Sequence, residues 1–292
     1  MFHVKHREVR NTKARSGSSR FGRKAKRCLI AFTAFFLIAV LGWMFLTASA
    51  VHLCRAVIHL PDLPVSFSGM RILYLSDSHL HGLNGLHATQ TLLDQLRSTQ
   101  PDVLLLGGNY TDSAACSLGS LFSQLADFPA AMGIYAVAGE DDDPSALQAA
   151  CEASGIRLLY NSGVSLQRGG STLYLLGLAP DMRDLNAAAS YVRSSQCVIA
   201  VANDPECIPH LNTAEAADGG RWVDLCLCGH NLGGQMRIAG RTLLPLSENQ
   251  RRYLSGWILD SMPILISQGL GNKGLNLRLN TRPEAWLITL EP

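Results

Sequence analysis

The chain has 292 residues and a formal net charge of +2, but its 25 Lys and Arg residues are unevenly placed. Ten of them lie in residues 1–27 against one acid, Glu8, which leaves 15 basic and 22 acidic side chains over 51–292 and a net charge there of −7. This excludes a basic nucleic-acid-binding surface on the globular part, whose roughly 240 residues suffice for one well-buried domain.

Residues 28–50 contain no charged side chain. At about 1.5 Å rise per residue such a helix crosses a hydrocarbon core of about 30 Å, so 28–50 is expected to be a transmembrane anchor. The basic tail 1–27 then stays in the cytoplasm by the positive-inside rule, and the domain lies outside. A cleaved signal peptide is the competing reading, because Ala48-Ser49-Ala50 has the character of a cleavage site; the apolar run exceeds the roughly 7–15 residues of a usual signal core. Seven of the eight cysteines (Cys54, Cys116, Cys151, Cys197, Cys207, Cys226 and Cys228) follow the anchor. An odd number without a C-x-x-C spacing leaves disulfide connectivity open. Cys226 and Cys228 alternate with leucines and read as part of a buried strand.

Next come short apolar runs. Residues 71–76 and 102–107 read as buried strands, and between them Leu86, Leu92, Leu93 and Leu96 recur at near-helical spacing, with Pro101 forcing extension before the second strand. The pattern continues with a helix near 118–125, a strand at 134–138, a helix at 144–153 and strands at 157–160, 164–167 and 172–178. A helix at 185–193 precedes strands at 197–202 and 223–228, and the rest is strand-rich with little helical pattern. Such alternation with a β-rich end predicts an α/β domain of two sheets packed face to face with helices outside.

Five segments follow strand ends in order: Asp77-Ser78-His79, Gly108-Asn109-Tyr110-Thr111-Asp112, Gly139-Glu140-Asp141-Asp142, Asn203-Asp204-Pro205 and Gly229-His230-Asn231-Leu232-Gly233-Gly234-Gln235. This order resembles the calcineurin-like metallophosphoesterases, whose patterns read D-x-H, G-D-x-x-D, G-N-H-[DE], H-x-P and G-H-x-H-G-G-Q. The tail from Gly234-Gln235-Met236-Arg237 through Tyr253 to Trp257, Gln268 to Gly271, Leu277-Arg278 and Pro283-Glu284 resembles membrane-anchored bacterial members. The resemblance covers residues 56–291 and implies a four-layer α-β-β-α sandwich preceded by one transmembrane helix.

Members of that family hold two divalent ions about 3.5–4 Å apart, with a bridging hydroxide as nucleophile. The resemblance therefore implies Asp77, His79, Asn109, Glu140, Asn203 and His230 as the metal-ligand positions. Asn109 stands where a bridging aspartate is expected, and an amide offers two dications no charge. Glu140 replaces an asparagine and Asn203 a histidine. Asp141 takes the position of the histidine that assists the reaction and is the catalytic candidate; an ionised Asp141 would repel phosphate. Leu232 replaces a histidine and coordinates nothing. Asp112 is expected to hold its loop. Asp142 and Asp143 read as a solvated turn entering the helix at Pro144, and His81 and His87 as surface histidines that could substitute as ligands.

Fewer than two ions are thus expected, of Mn, Mg, Ca, Fe or Zn, with none as the other outcome. Two functions follow from the resemblance: a membrane-anchored phosphoesterase of impaired hydrolysis, or an inactive pseudoenzyme serving as an extracytoplasmic binding or scaffold module. The expected partners are the membrane and a phosphorylated lipid or cell-envelope ligand.

Overall fold

A computed structural model describes residues 18–80, 82–112, 118–181, 185–243 and 245–292. The chain divides into two compact units, Met1–Trp43 and Met44–Pro292. The first helix, α1 (Ser18–Ala48), contains a stretch, Lys24–Ala48, long and apolar enough to cross a membrane. Its Leu29, Phe32, Phe35 and Trp43 are exposed.

In the second unit the elements run β1 (His52–His59), β2 (Arg71–Leu75), α2 (Gly82–Leu96), β3 (Val103–Leu106), α3 (Leu118–Ala126), β4 (Ile134–Ala136), α4 (Pro144–Ser154), β5 (Arg157–Leu158), β6 (Ser162–Arg168) and β7 (Ser171–Gly177). They continue with α5 (Leu185–Ala189), β8 (Val198–Val201), α6 (Ile208–Thr213), β9 (Leu225–Cys228), β10 (Arg237–Ile238), β11 (Arg241–Thr242), α7 (Glu248–Arg252), β12 (Gly256–Leu259), β13 (Pro263–Ile266) and β14 (Glu284–Glu291).

Two six-stranded sheets result, ordered β1-β14-β2-β3-β4-β5 and β12-β13-β9-β8-β7-β6. Strands β2 to β5 are mutually parallel, as are β7, β8, β9 and β13. Parallel strands covered on both faces need apolar side chains on both, which is why β2, β3, β8 and β9 are almost continuous apolar runs. Along β2, Ile72 and Tyr74 face the space between the sheets while Leu73 and Leu75 face outward. The inter-sheet core joins Tyr74, Val103 and Leu105 to Leu173, Leu175, Ile199 and Leu227. Leu93, Phe122 and Leu147 of α2, α3 and α4 cover the first sheet, and Leu185 and Leu211 of α5 and α6 cover the second. This is the four-layer arrangement the sequence predicts. Burying each Leu or Phe contributes about 1.5–3 kcal/mol.

Some boundaries differ from expectation. The first sheet starts at His52 in β1, earlier than residue 56, because β1 lies parallel to β14 along His52–His59. Helix α5 stops at Ala189 instead of 193. Beyond it the Arg193 N–H donates to Gln196 Oε1 (2.7 Å) and the Ser194 N–H to Asp218 Oδ1 (2.8 Å), so side chains take donors that a helix would have used. Helix α7 interrupts the strand-rich end through a capping box in which Ser247 and Gln250 exchange hydrogen bonds, a pattern readable from Ser247-Glu248-Asn249-Gln250.

Candidate metal centre

Strands β2, β3 and β4 are parallel, as are β8 and β9, and hydrogen bonds linking Asp77 and Asn109 to Asn203 and His230 bring their ends together, where open α/β sheets place ligands. Leu75 pairs with Leu106, Leu106 with Ala136, and Val201 with Leu227, so the turns lie side by side. They are tight. Asp77, His79, Asn109, His230, Leu232 and Gln235 all adopt positive φ, between 39° and 68°. That conformation is costly for non-glycine residues and collects at functional sites.

Two glycines permit the crowding. A Cβ on Gly229 would lie 2.1 Å from Asp77 Oδ2, and one on Gly139 2.2 Å from Asn109 Oδ1. With bare backbone at these points, the His230 N–H donates to Asp77 Oδ2 (2.8 Å) and the Asp141 N–H to Asn109 Oδ1 (3.1 Å).

The innermost group is a closed hydrogen-bond network. Asp77, Asn109 and Asn203 are buried. The Asn109 Nδ2 donates to Asp77 Oδ1 (3.1 Å) and Asn203 Oδ1 (2.9 Å). The Asn203 Nδ2 in turn donates to Asp77 Oδ1 (3.0 Å) and the Gly107 carbonyl (2.7 Å). Since Asn109 Oδ1 accepts from a backbone N–H, the partners fix which end of the amide faces the centre. It is the NH2 end. Behind the network Arg278 is fully buried, donating to Asn272 Oδ1 and the carbonyls of Leu232, Gln268, Gly269 and Gly271. Burial pulls its pKa down to about 10, against the charges of Asp77 and Glu284.

The outer group is more open. His230 Nδ1 lies 3.3 Å from Asn203 Oδ1, and its Nε2 lies 3.8 Å from both Glu140 Oε2 and Asp204 Oδ2. Asn203 Oδ1 already accepts from Asn109, so Nδ1 is the donor to it, and Nε2 is the ring atom that faces the two carboxylates. Burial pushes the Asp204 carboxyl up from its ordinary value, opposed by the Glu206 N–H and His230. On the other side His79 Nδ1 donates to Asp112 Oδ1 (2.5 Å), and Lys273 Nζ lies 2.8 Å from Asp141 Oδ2. Burial raises Asp141, but the Lys273 hydrogen bond and charge outweigh it and hold the carboxyl below the ordinary range. An ionised Asp141 is held by its own lysine.

Five of the six proposed ligand positions therefore fall into two sets, and the sixth, His79, stands apart beside Asp112 and Asp141. Asp77, Asn109 and Asn203 bond to one another, while Glu140 and His230 meet around Asp204, to which the sequence motif assigns no role. Lys273 was also missed, since it lies in the segment between β13 and β14, far from any motif. Asp112 holds the first loop through His79, as expected. Asp142 is not a solvated turn residue: it is buried and accepts from the N–H groups of Asn109, Tyr110 and Gly139. Burial raises its pKa against those three bonds. Asp143 does cap α4, accepting from the Ala146 N–H (3.0 Å). His87 is exposed on α2, and His81 lies outside the described residues, as do residues 1–17 of the basic tail.

A pair of bridged cations does not fit the inner set. Both Asp77 oxygens accept N–H groups, Asn109 presents hydrogens where a shared anionic oxygen is needed, and Leu232 is buried and apolar. The Glu140, Asp204 and His230 ligand atoms, by contrast, lie within 4.8 Å of one another. Two carboxylates and an imidazole suit one hard or borderline divalent ion.

A protein-family model for the calcineurin-like phosphoesterases matches residues 70–232, more than half of the chain. The chain is 27% identical to the phosphodiesterase YaeI of Escherichia coli over 75% of its length and 82% of that protein. It is 26% identical to YpbG of Bacillus subtilis over 76% of its length and 81% of the relative. A transmembrane protein with metallophosphoesterase domain from Danio rerio is 25% identical over 78% of this chain and 55% of its own. Phosphoester hydrolysis with divalent metals is the activity at family level, and the apolar helix together with transmembrane relatives supports membrane anchoring. With the ordered strand-end segments and the family match over 70–232, the chain belongs to the calcineurin-like phosphoesterase family.

Proposed function

We propose that this chain is a membrane-anchored phosphoesterase homologue of impaired hydrolysis. Its tail (1–27) is cytoplasmic, its anchor spans 28–50 once, and its outer domain (56–291) binds a phosphorylated lipid or cell-envelope ligand with at most one divalent ion. The carrying observation is the Asn109 amide, whose hydrogens donate to Asp77 and Asn203. Those groups satisfy one another, so the inner set lacks the shared anionic oxygen that supports a bridged metal pair. The inactive-scaffold reading draws on a separate feature: Lys273 holds Asp141 ionised, whereas the position calls for a proton donor.

The test restores the family residues together, as Asn109→Asp, Glu140→Asn, Asp141→His, Asn203→His and Leu232→His, in the detergent-solubilised full chain. The parent should bind at most one Mn²⁺ and turn over phosphodiesters near background. The fivefold variant should gain both metal and turnover, while single changes stay nearly silent because the groups act as a unit. Substantial parent turnover that Asp77→Ala abolishes would overturn the reading. Orientation is checked with a cysteine engineered near residue 280, which a membrane-impermeant reagent should label in intact spheroplasts.

A further inference from the structure

Next to this centre, three thiols converge beneath the outer layer of the second sheet. Cys226 and Cys228 occupy alternate positions of β9, so both side chains leave the same face of the strand. Cys207 comes from a different element, the turn that Asp204 starts by capping the Glu206 N–H just before α6. All three are free thiols no more than 1% exposed. Cys228 Sγ lies 3.5 Å from Cys226 Sγ and 3.9 Å from Cys207 Sγ, and the three sulfurs fall within 4.8 Å of one another.

We propose that Cys207, Cys226 and Cys228 form a trithiolate site for one thiophilic divalent cation of the Zn²⁺ class. Zinc–sulfur bonds of about 2.3 Å place two sulfurs on one ion about 3.8 Å apart in tetrahedral geometry and about 4.0 Å apart in trigonal geometry. The observed separations therefore need only small adjustment. Thiolates select soft or borderline cations over the hard ions suited to Glu140 and Asp204. Charge selects the valence: a divalent ion leaves one net negative charge among three thiolates and a monovalent ion leaves two, and uncompensated charge in an apolar layer is costly. Cys207 lines a cavity of about 320 Å³ whose other walls include Glu140, Asp204 and Glu206, and acidic walls raise the local cation concentration. Binding displaces one proton from each thiol and involves no redox step.

The proposal is independent of the reading given for the strand-end centre, and its test uses a signal that centre does not produce. The full chain is purified in detergent with a phosphine reductant, and Cd²⁺ is added as the probe. One equivalent should bind with a near-ultraviolet sulfur-to-cadmium charge-transfer band, and Zn²⁺ should displace it. Cys207→Ser should weaken Cd²⁺ binding by more than the roughly 10–100-fold that changing a mere supporting residue costs. Should that variant fail to fold, the wild-type chain decides: one equivalent of Zn²⁺ added first should suppress the cadmium band. Absence of the band in the folded, reduced chain overturns the site.

Discussion

The inner and outer groups of the strand-end centre share neighbours yet have opposite character. Around Asp77 the donors and acceptors balance: two amides and a backbone N–H satisfy one carboxylate, in a setting closed to water. Farther out, His230 Nε2 lies 3.8 Å from both Glu140 and Asp204, beyond hydrogen-bond distance, and the Glu140 side chain is 67% exposed. The inner group has the properties of a structural joint between the two sheets. The outer group has those of a ligand site, because one ligand atom from each of two carboxylates and an imidazole lies within 4.8 Å of the others. Two amides beside one buried carboxylate thus close the inner group by their own hydrogen bonds and leave no unsatisfied acceptor on Asp77.

Breaking this joint should give the largest effect. Asp77→Ala leaves the Asn109 and Asn203 amides and the His230 N–H without their acceptor and removes a charge that offsets buried Arg278. Removing one partner from a buried charged network costs about 3–5 kcal/mol. At about 2–4 °C per kcal/mol for a domain of this size, the melting temperature of the solubilised full chain should fall by on the order of 10 °C. A change below about 2 °C would show that the inner group is not a joint. Asp142→Ala comes next. It strands three backbone N–H groups, but Asp142 lies nearer the surface at 9% exposure, so water can replace part of what is lost. A cost of about 2–3 kcal/mol is expected in the same thermal measurement.

How far these roles could be read in advance depended on distance along the chain. Strand ends were legible because buried parallel strands require uninterrupted apolar runs, and those runs stop at Asp77, Gly107, Asn203 and Gly229. The identity of the exchanged residues was legible too. What they do was not: an asparagine offers an oxygen or an NH2 group, and the choice at Asn109 is made by the Asp141 N–H, 32 residues away. Asp142 looked like one acid in a solvated run, because nothing local says that three N–H groups will point at it. Lys273 reaches Asp141 across 132 residues, a pairing that only the packing of the two sheets creates.

That pairing supplies the smallest and most diagnostic effect. Lys273 is 59% and Asp141 36% exposed at the side chain, so the ion pair is worth at most about 0.2–1 kcal/mol after solvent screening. Its pH signature has two edges. Asp141 is held below its ordinary 3.8, so its contribution is present above that value and disappears as pH falls through the depressed folded-state pKa. Lys273 is raised above 10.5, chiefly by its hydrogen bond to Asp141, so its contribution is complete below that value and disappears as pH rises through the raised folded-state pKa. Lys273→Met should therefore lower the melting temperature by no more than about 2–4 °C at neutral pH, and parent and variant should converge at both extremes. The same change removes a cation beside the acidic rim, so Mn²⁺ should bind the variant a few-fold more tightly at low salt, an advantage that fades towards about 1 M ionic strength. Tighter binding with little loss of stability would assign the rim to ligand capture and Lys273 to its restraint. Unchanged Mn²⁺ affinity would place the ion pair outside the electrostatic reach of His230, Glu140 and Asp204 and remove the proposed link between the lysine and the outer group.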